Sequence, residues 1–224
     1  MTKFQHYQIL AELFRYPDGE FLWKIEAAKN WLKASYPEAA AELEFFYQEL
    51  PRTDLNQIQA LYTRSFDVQA ITTLDVAYVL FGDDYKRGEI LANLNREHIK
   101  FQTDCGVELA DYLPNLLSLI SRLEDGELLR ELVQEILAPA LQKMIEEFIP
   151  ERLDKKNELY KKHYKTLIEV PGHNVSVYQH ALKALYGVLR KDFDVKEKDL
   201  KNYSNCDFLN SVSTEMDVEK VSKE

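Results

Sequence analysis

Residues 61–117 read LYTRSFDVQAITTLDVAYVLFGDDYKRGEILANLNREHIKFQTDCGVELADYLPNLL, and this stretch decides the fold. Tyr62 and Phe66 lie four residues apart, which places both rings on one face of a helix. The β-branched run at 71–81 is compatible with a strand. Helical patterns precede and follow that run, so we predict instead a short helix that begins near Asp75.

Helical spacing of apolar residues also dominates the rest of the chain, at intervals of three and four. Pro37 suits the first turn of a helix, where its missing N–H costs nothing. Asp54, with Gln57 three residues later, has the spacing of a capping box. Asp83 or Asp84 is predicted to cap the helix that runs to about residue 101. These signals predict an all-α fold built as one helical bundle.

Composition and length fit that fold. The chain has 224 residues, 46% of them hydrophobic, with only seven glycines and seven prolines, which favours long helices over a turn-rich β fold. Pro139 interrupts an apolar helical pattern at 128–148 and is predicted to kink it. We predict one helical domain at 1–192. The polar residues 193–224 are predicted to form a flexible tail, because their apolar residues are sparse.

Charge, cysteine content and hydropathy restrict the partners and the compartment. The net charge of −10 argues against a nucleic-acid binder and is compatible with a basic partner. Cys105 and Cys206 form neither a disulfide framework nor a metal-binding motif, which indicates a reducing compartment. The first ten residues lack the apolar core of a signal peptide, and no run of 18 apolar residues occurs. We expect a cytoplasmic protein without a membrane span.

The sequence contains no motif of the common enzyme classes. It has no phosphate-binding loop, dinucleotide fingerprint, nucleophile elbow or HExxH zinc motif. None of the five histidines forms a pair at metal-ligand spacing within one helix, and His98 fits a packed or capping role. We therefore expect no catalysis, no cofactor and no metal site, while an enzyme with an unrecognised site stays open.

Individual residues of the 61–117 stretch allow both a structural and a binding role. Asp67 follows the end of a helix, where the dipole is negative, so it needs Arg64, the next helix or a cationic partner to compensate. Gly88 inside a helix costs about 1 kcal/mol relative to alanine, which tight helix packing or a bound peptide backbone would explain. Arg87 is either a surface ion-pair residue or an anchor for an acidic group of a partner.

Four short elements appear in a characteristic order along the chain. They are Leu13 and Tyr16-Pro17-Asp18; Tyr62, Phe66 and Asp67; Gly82, Asp83, Arg87 and Gly88; and Glu108, Leu109, Asp111, Leu113 and Pro114. Through these elements the chain resembles the NarJ-type, TorD-like chaperones from about residue 8 to 125. One position departs from that family's pattern, since proline is frequent where this chain has Ala110.

The resemblance implies an all-α chaperone fold and a function in binding another protein. Members of the family bind the N-terminal segment of the apo catalytic subunit of nitrate reductase or a related molybdoenzyme of the dimethyl sulfoxide reductase family. They assist insertion of its molybdenum cofactor, and cofactor-delivery proteins are further expected partners. A homodimer is compatible with such a fold, and a helical scaffold or sensor without a molybdoenzyme client is the alternative. The expected partner-binding residues are Tyr62, Phe66, Asp67, Tyr78, Gly82, Asp83, Arg87, Gly88, Tyr112, Leu113 and Pro114.

Overall fold

The computed structural model describes residues 3–124, 126–164 and 175–196. In these ranges the chain is helical and contains no strand, which confirms the predicted all-α class. The α-helices are α1 (Tyr7–Ala11), α2 (Phe21–Ser35), α3 (Pro37–Glu49), α4 (Leu55–Phe66), α5 (Val76–Phe81), α6 (Tyr85–Phe101), α7 (Leu113–Ile120), α8 (Glu127–Glu131), α9 (Ala138–Glu146), α10 (Pro150–Tyr164) and α11 (Tyr178–Phe193). A 3₁₀ turn (Glu12–Phe14) follows α1, and a π-helical segment (Leu132–Leu137) separates α8 from α9.

Local sequence signals fix several of these boundaries. Pro37 occupies the first turn of α3 as predicted. The Asp54 carboxylate accepts hydrogen bonds from the backbone N–H groups of residues 56 and 57 and so caps α4. Asp84, the second of the two candidates, caps α6 by accepting the N–H of Lys86 at 2.9 Å. The short helix expected near Asp75 is α5.

The apolar pattern at 128–148 does not form one bent α-helix. It divides into α8, the π-helical segment and α9, and Pro139 lies in the first turn of α9. Proline lacks an N–H group, and its ring clashes with the carbonyl four residues earlier. The wider π turns lie where the regular hydrogen-bond ladder would have required that missing donor.

The helices pack into one bundle with a shared core. Helix α3 packs between α2 and α11, α1 packs against α7, and α9 contacts both α11 and α5. Large side chains that are almost fully buried, such as Phe14, Phe46 and Tyr178, fill the centre. Helix α5 also contacts α6, so the elements that carry the family-like motifs lie side by side.

The predicted tail begins inside the last described helix. Phe193 ends α11 and is buried, and Val195 beyond it is also buried in the core. The remainder of the tail, from residue 197, lies outside the described residues, and its flexibility stays a prediction. Among the described helices, none has the length and apolarity that crossing a membrane requires.

Candidate functional site

The motifs meet where two short backbone segments run side by side. The N–H of Val76 donates to the carbonyl of Asp111 at 3.0 Å, and the N–H of Leu113 donates to the carbonyl of Leu74 at 2.8 Å. Asp75 and Tyr112 thereby form an isolated antiparallel bridge. This bridge sets the start of α5 against the start of α7, although some 36 residues separate them in the chain.

Asp111 is the buried anchor of this junction. Its side chain is almost fully buried, and its Oδ2 accepts the backbone N–H of Ala77 at 3.1 Å. Asp75, at the N-cap position of α5, makes no side-chain capping bond. Asp111 therefore caps α5 from a distant part of the chain. Burial raises the pKa of Asp111, and the nearby Arg87 opposes that rise.

Arg87 is enclosed by carboxylates of its own chain. Its Nη2 donates to Asp75 Oδ2 at 3.4 Å, its Nε lies 3.8 Å from Asp111 Oδ2, and its Nη1 lies 3.8 Å from Asp83 Oδ1. The guanidinium also sits over the ring of Tyr78, 4.8 Å from the centroid. Its side chain is only 16% exposed, so Arg87 belongs to an internal network rather than to an open surface.

The pKa of Asp75, the second carboxylate of this network, lies above its ordinary value. Burial, together with the charge of Asp111, raises the pKa of Asp75 to about 6, while Arg87 lowers it. Asp75, which is partly buried, and Asp111, which is almost fully buried, thus share one guanidinium. The arrangement fixes the relative positions of α5, α6 and the segment before α7.

Two tyrosines tie the same junction to the first motif. The Tyr62 hydroxyl oxygen lies 3.0 Å from the Phe14 carbonyl oxygen and 2.7 Å from the Tyr112 hydroxyl oxygen. The Tyr112 hydroxyl is also 3.2 Å from that carbonyl. Burial raises the pKa of Tyr62, so its hydroxyl stays protonated as a donor. These bonds hold α4, the start of α7 and the turn before Tyr16 together.

Three further motif residues are part of the hydrophobic core. The Phe66 ring packs edge-on against Tyr178 at 4.9 Å and against Tyr62 at 5.2 Å. Leu113 and Pro114 are buried in the first turn of α7. We name the residues that join the motifs the motif cluster: Tyr62, Asp75, Arg87, Asp111 and Tyr112.

The structure brings together most of the predicted binding residues but leaves few of them open to a partner. Gly82 is buried with φ at +57°, a conformation that favours glycine, and ends α5. Asp67, Asp83 and Gly88 are exposed. Tyr78 is half-buried beneath Arg87.

Two structural explanations proposed for these residues are wrong. Arg64 does not compensate Asp67: its guanidinium is buried and bonds the carbonyl of Gln69 and the side chain of Asn157. Gly88 is not needed for close helix packing, because a Cβ built there meets no described atom within 4 Å. The packing explanation assumed a neighbour on that face of α6, and the described part of the chain places none there.

An exposed loop leads into the motif cluster, and only its last part, from Glu108 to Asp111, was marked by the sequence motifs. Residues 102–111 follow α6 and turn back towards α7. His98 bonds both ends of this loop, with Nδ1 2.6 Å from Thr103 Oγ1 and Nε2 3.1 Å from the Ala110 carbonyl oxygen. Burial lowers the pKa of His98, which favours the neutral ring. The packed role predicted for His98 is confirmed.

The buried side-chain amide of Asn115 also holds this loop. The Asn115 side chain donates to the carbonyls of Cys105 at 3.2 Å and Leu109 at 3.0 Å. The loop therefore presents Val107, which is fully exposed, and Leu109, which is 48% exposed, on a fixed backbone. No sequence pattern marks Val107 or Asn115, because their roles depend on how the loop folds back.

Neither the arrangement of possible metal ligands nor comparison with known proteins assigns a function to this site. Across the described ranges, no group of three or more His, Cys, Asp and Glu side chains is placed to hold a metal ion. Comparison of the chain with models of protein families finds no match, and neither does comparison with curated proteins. Membership of the NarJ-type chaperones therefore stays a prediction from the motifs.

Proposed function

We propose that this protein is a system-specific chaperone. It binds the N-terminal segment of the apo catalytic subunit of a molybdoenzyme, either nitrate reductase or a related member of the dimethyl sulfoxide reductase family. It holds that subunit while the molybdenum cofactor is inserted. The protein itself carries out no reaction in this proposal, and its partners are the subunit and the proteins that deliver the cofactor.

One observation carries the proposal. The four elements of the resemblance are scattered between residues 13 and 114, yet three of them are joined by the motif cluster, and Tyr16 of the first packs edge-on against Tyr62 at 5.4 Å. The 102–111 loop ends at Asp111 of this cluster, and the side chains of His98 and Asn115 hold its backbone. Exposed apolar side chains on a rigid loop are typical of protein-binding surfaces.

Tyr16 is a further exposed side chain that packs on the motif cluster. Its ring is 56% exposed although it packs on the buried Tyr62. Tyr16 is thus an aromatic side chain with one supported edge and an open face, a common anchor type in protein interfaces. Tyr16, Val107 and Leu109 are the residues we expect to contact the client.

The test is capture of the client by the tagged protein. Cells that express the tagged chain and a molybdoenzyme operon, grown without molybdate, should yield the apo catalytic subunit on the affinity resin. Val107→Ser with Leu109→Ser should reduce that yield and the maturation of the enzyme. The matched control is Leu55→Ser with Ile149→Ser, two other partly exposed apolar residues. Absence of the subunit from the wild-type eluate would favour the scaffold or sensor alternative.

A further inference from the structure

A separate groove lies between α6, α7 and the helical segment that runs from α8 into the π turns. Its volume is about 260 Å³. The floor consists of leucines that are buried, and partly exposed apolar side chains form its edges. The floor residues are Leu94, Leu119, Leu123 and Leu132, and the edge residues are Ile90, Leu128 and Ile136.

The polar residues of this groove are acidic on both sides. Glu97 of α6 stands on one wall, and Glu131 and Glu135 stand on the opposite wall. Asn93 completes the lining, and among the described residues that line the groove there is neither lysine nor arginine. We call this site the acidic groove.

Glu97 carries an incompletely satisfied charge. Its Oε2 is buried and accepts no hydrogen bond. The nearest cation is Lys100 of the same helix, with its Nζ at 3.5 Å. A donor from a partner that displaces Lys100 would therefore make a hydrogen bond that the chain leaves unmade at this oxygen.

We propose that the acidic groove docks a basic amphipathic helix. An apolar floor between two acidic walls complements a helix whose apolar stripe has lysines or arginines along both edges. Leu128, which is 48% exposed at the edge, gives the incoming apolar stripe its first contact. The identification of this helix with the client's N-terminal segment rests on the proposed function; the groove's preference for such a helix does not.

The chain's own C-terminal segment does not match this occupant. Residues 197–224 contain seven acidic and four basic side chains, an acidic excess that the groove would repel. The occupant we assign is therefore a segment of another protein.

The first experiment uses a synthetic amphipathic peptide of leucine and lysine with a fluorescent label. Anisotropy should give a Kd of about 1 µM or tighter at low salt, weakening as salt rises. The triple variant Glu97→Gln, Glu131→Gln and Glu135→Gln should weaken binding about tenfold. Leu128→Gln should weaken it without a change in charge.

The matched control is a triple variant of exposed glutamates elsewhere, Glu26→Gln, Glu49→Gln and Glu158→Gln. It has the same net charge as the groove variant, so it should alter the Kd less than about twofold. Equal weakening in the two triple variants would show attraction to overall charge and would overturn the groove assignment. A dimer in light scattering that Leu128→Gln dissolves would make a second copy the occupant and would also overturn it.

Capture of the client separates this inference from the proposed function. One outcome is that the wild-type chain and the groove triple variant capture equal amounts of the apo catalytic subunit. That result would show that the client does not bind in the acidic groove, and it would still support the chaperone function. Groove-dependent peptide binding with no subunit captured would support the groove and count against the chaperone function.

Discussion

The motif cluster and the acidic groove differ in where their cations lie. In the motif cluster, Arg87 lies among Asp75, Asp83 and Asp111 and offsets part of their negative charge within the chain. Among the described residues that line the acidic groove there are three glutamates and neither lysine nor arginine, and Glu97 makes its ion pair with Lys100, which lies outside the lining. The first region thus holds its own cation beside its carboxylates, whereas a basic partner would bring one to the second. Within one motif, buried residues such as Asp111 hold helices together, while exposed residues such as Leu109 are left to bind.

Arg87→Gln should give the largest loss of stability. The substitution leaves Asp111 buried and Asp75 partly buried without their cation, and breaking a buried ion pair in this way costs about 3 kcal/mol. Urea unfolding at neutral pH measures the loss. Lys86→Gln is the control, since Lys86 is exposed on the same helix.

The Arg87→Gln deficit should shrink in mild acid. Loss of the guanidinium removes the interaction that lowers the pKa of Asp75 and opposes the rise in the pKa of Asp111. Both carboxyls then protonate more readily in the folded state, which relieves the uncompensated charge. If Arg87→Gln proved no more destabilising than Lys86→Gln but weakened client binding, Arg87 would be a contact residue after all.

Tyr62→Phe should cost less, about 1–2 kcal/mol, because it removes only a hydroxyl from a buried hydrogen-bond network. In this variant the Phe14 carbonyl still accepts a hydrogen bond from the Tyr112 hydroxyl at 3.2 Å, which limits the loss of stability. Tyr85→Phe, at a tyrosine that is 80% exposed, is the control and should be neutral. A double-mutant cycle with Tyr112→Phe should show coupling between the two hydroxyls, and strict additivity would contradict the shared network.

The sequence predicted the fold well where the signal was local. The helical class, the caps at Asp54 and Asp84 and the short helix after Asp75 depend on residues within a few positions of one another. The partners of Arg87 did not follow from sequence, because Asp111 lies 24 positions away and reaches it only through the backbone bridge. The acidic composition is compatible with a basic partner, but the place of the acidic groove was not predicted, since its lining comes from three helical segments whose packing no local pattern specifies.

Asp75→Asn should change how stability depends on pH. The folded-state pKa of Asp75 is about 6, above the ordinary value of 3.8, so the folded protein binds this proton more tightly than the unfolded chain. Asp75 therefore adds stability as pH falls through 6, and this contribution is lost as pH rises. The stability difference, wild type minus Asp75→Asn, should fall between about pH 4 and pH 7. Urea unfolding across that range measures it, and a difference that grows with pH would mean that the Arg87 interaction outweighs burial.

Gly88→Ala should have the smallest effect, and of opposite sign. Gly88 lies on an exposed part of α6, and an added Cβ meets no described atom within 4 Å. Replacing an exposed helical glycine by alanine should therefore raise stability by about 0.5–1 kcal/mol. Thermal unfolding measures the gain. Gly187→Ala is the control, because Gly187 is also helical and its Cβ would make only an ordinary 3.8 Å contact with Ala39.

The affinity of Gly88→Ala and Gly187→Ala for the client tests whether position 88 is glycine because a bound peptide backbone needs the space. If the client's backbone lies against α6 at Gly88, the methyl group of Gly88→Ala blocks it, so affinity falls while stability rises. Gly187→Ala should then gain stability without losing affinity, which excludes rigidity as the cause. Unchanged affinity in Gly88→Ala would mean that the client does not lie against this face of α6. A loss of stability in Gly88→Ala would instead show a neighbour at that face.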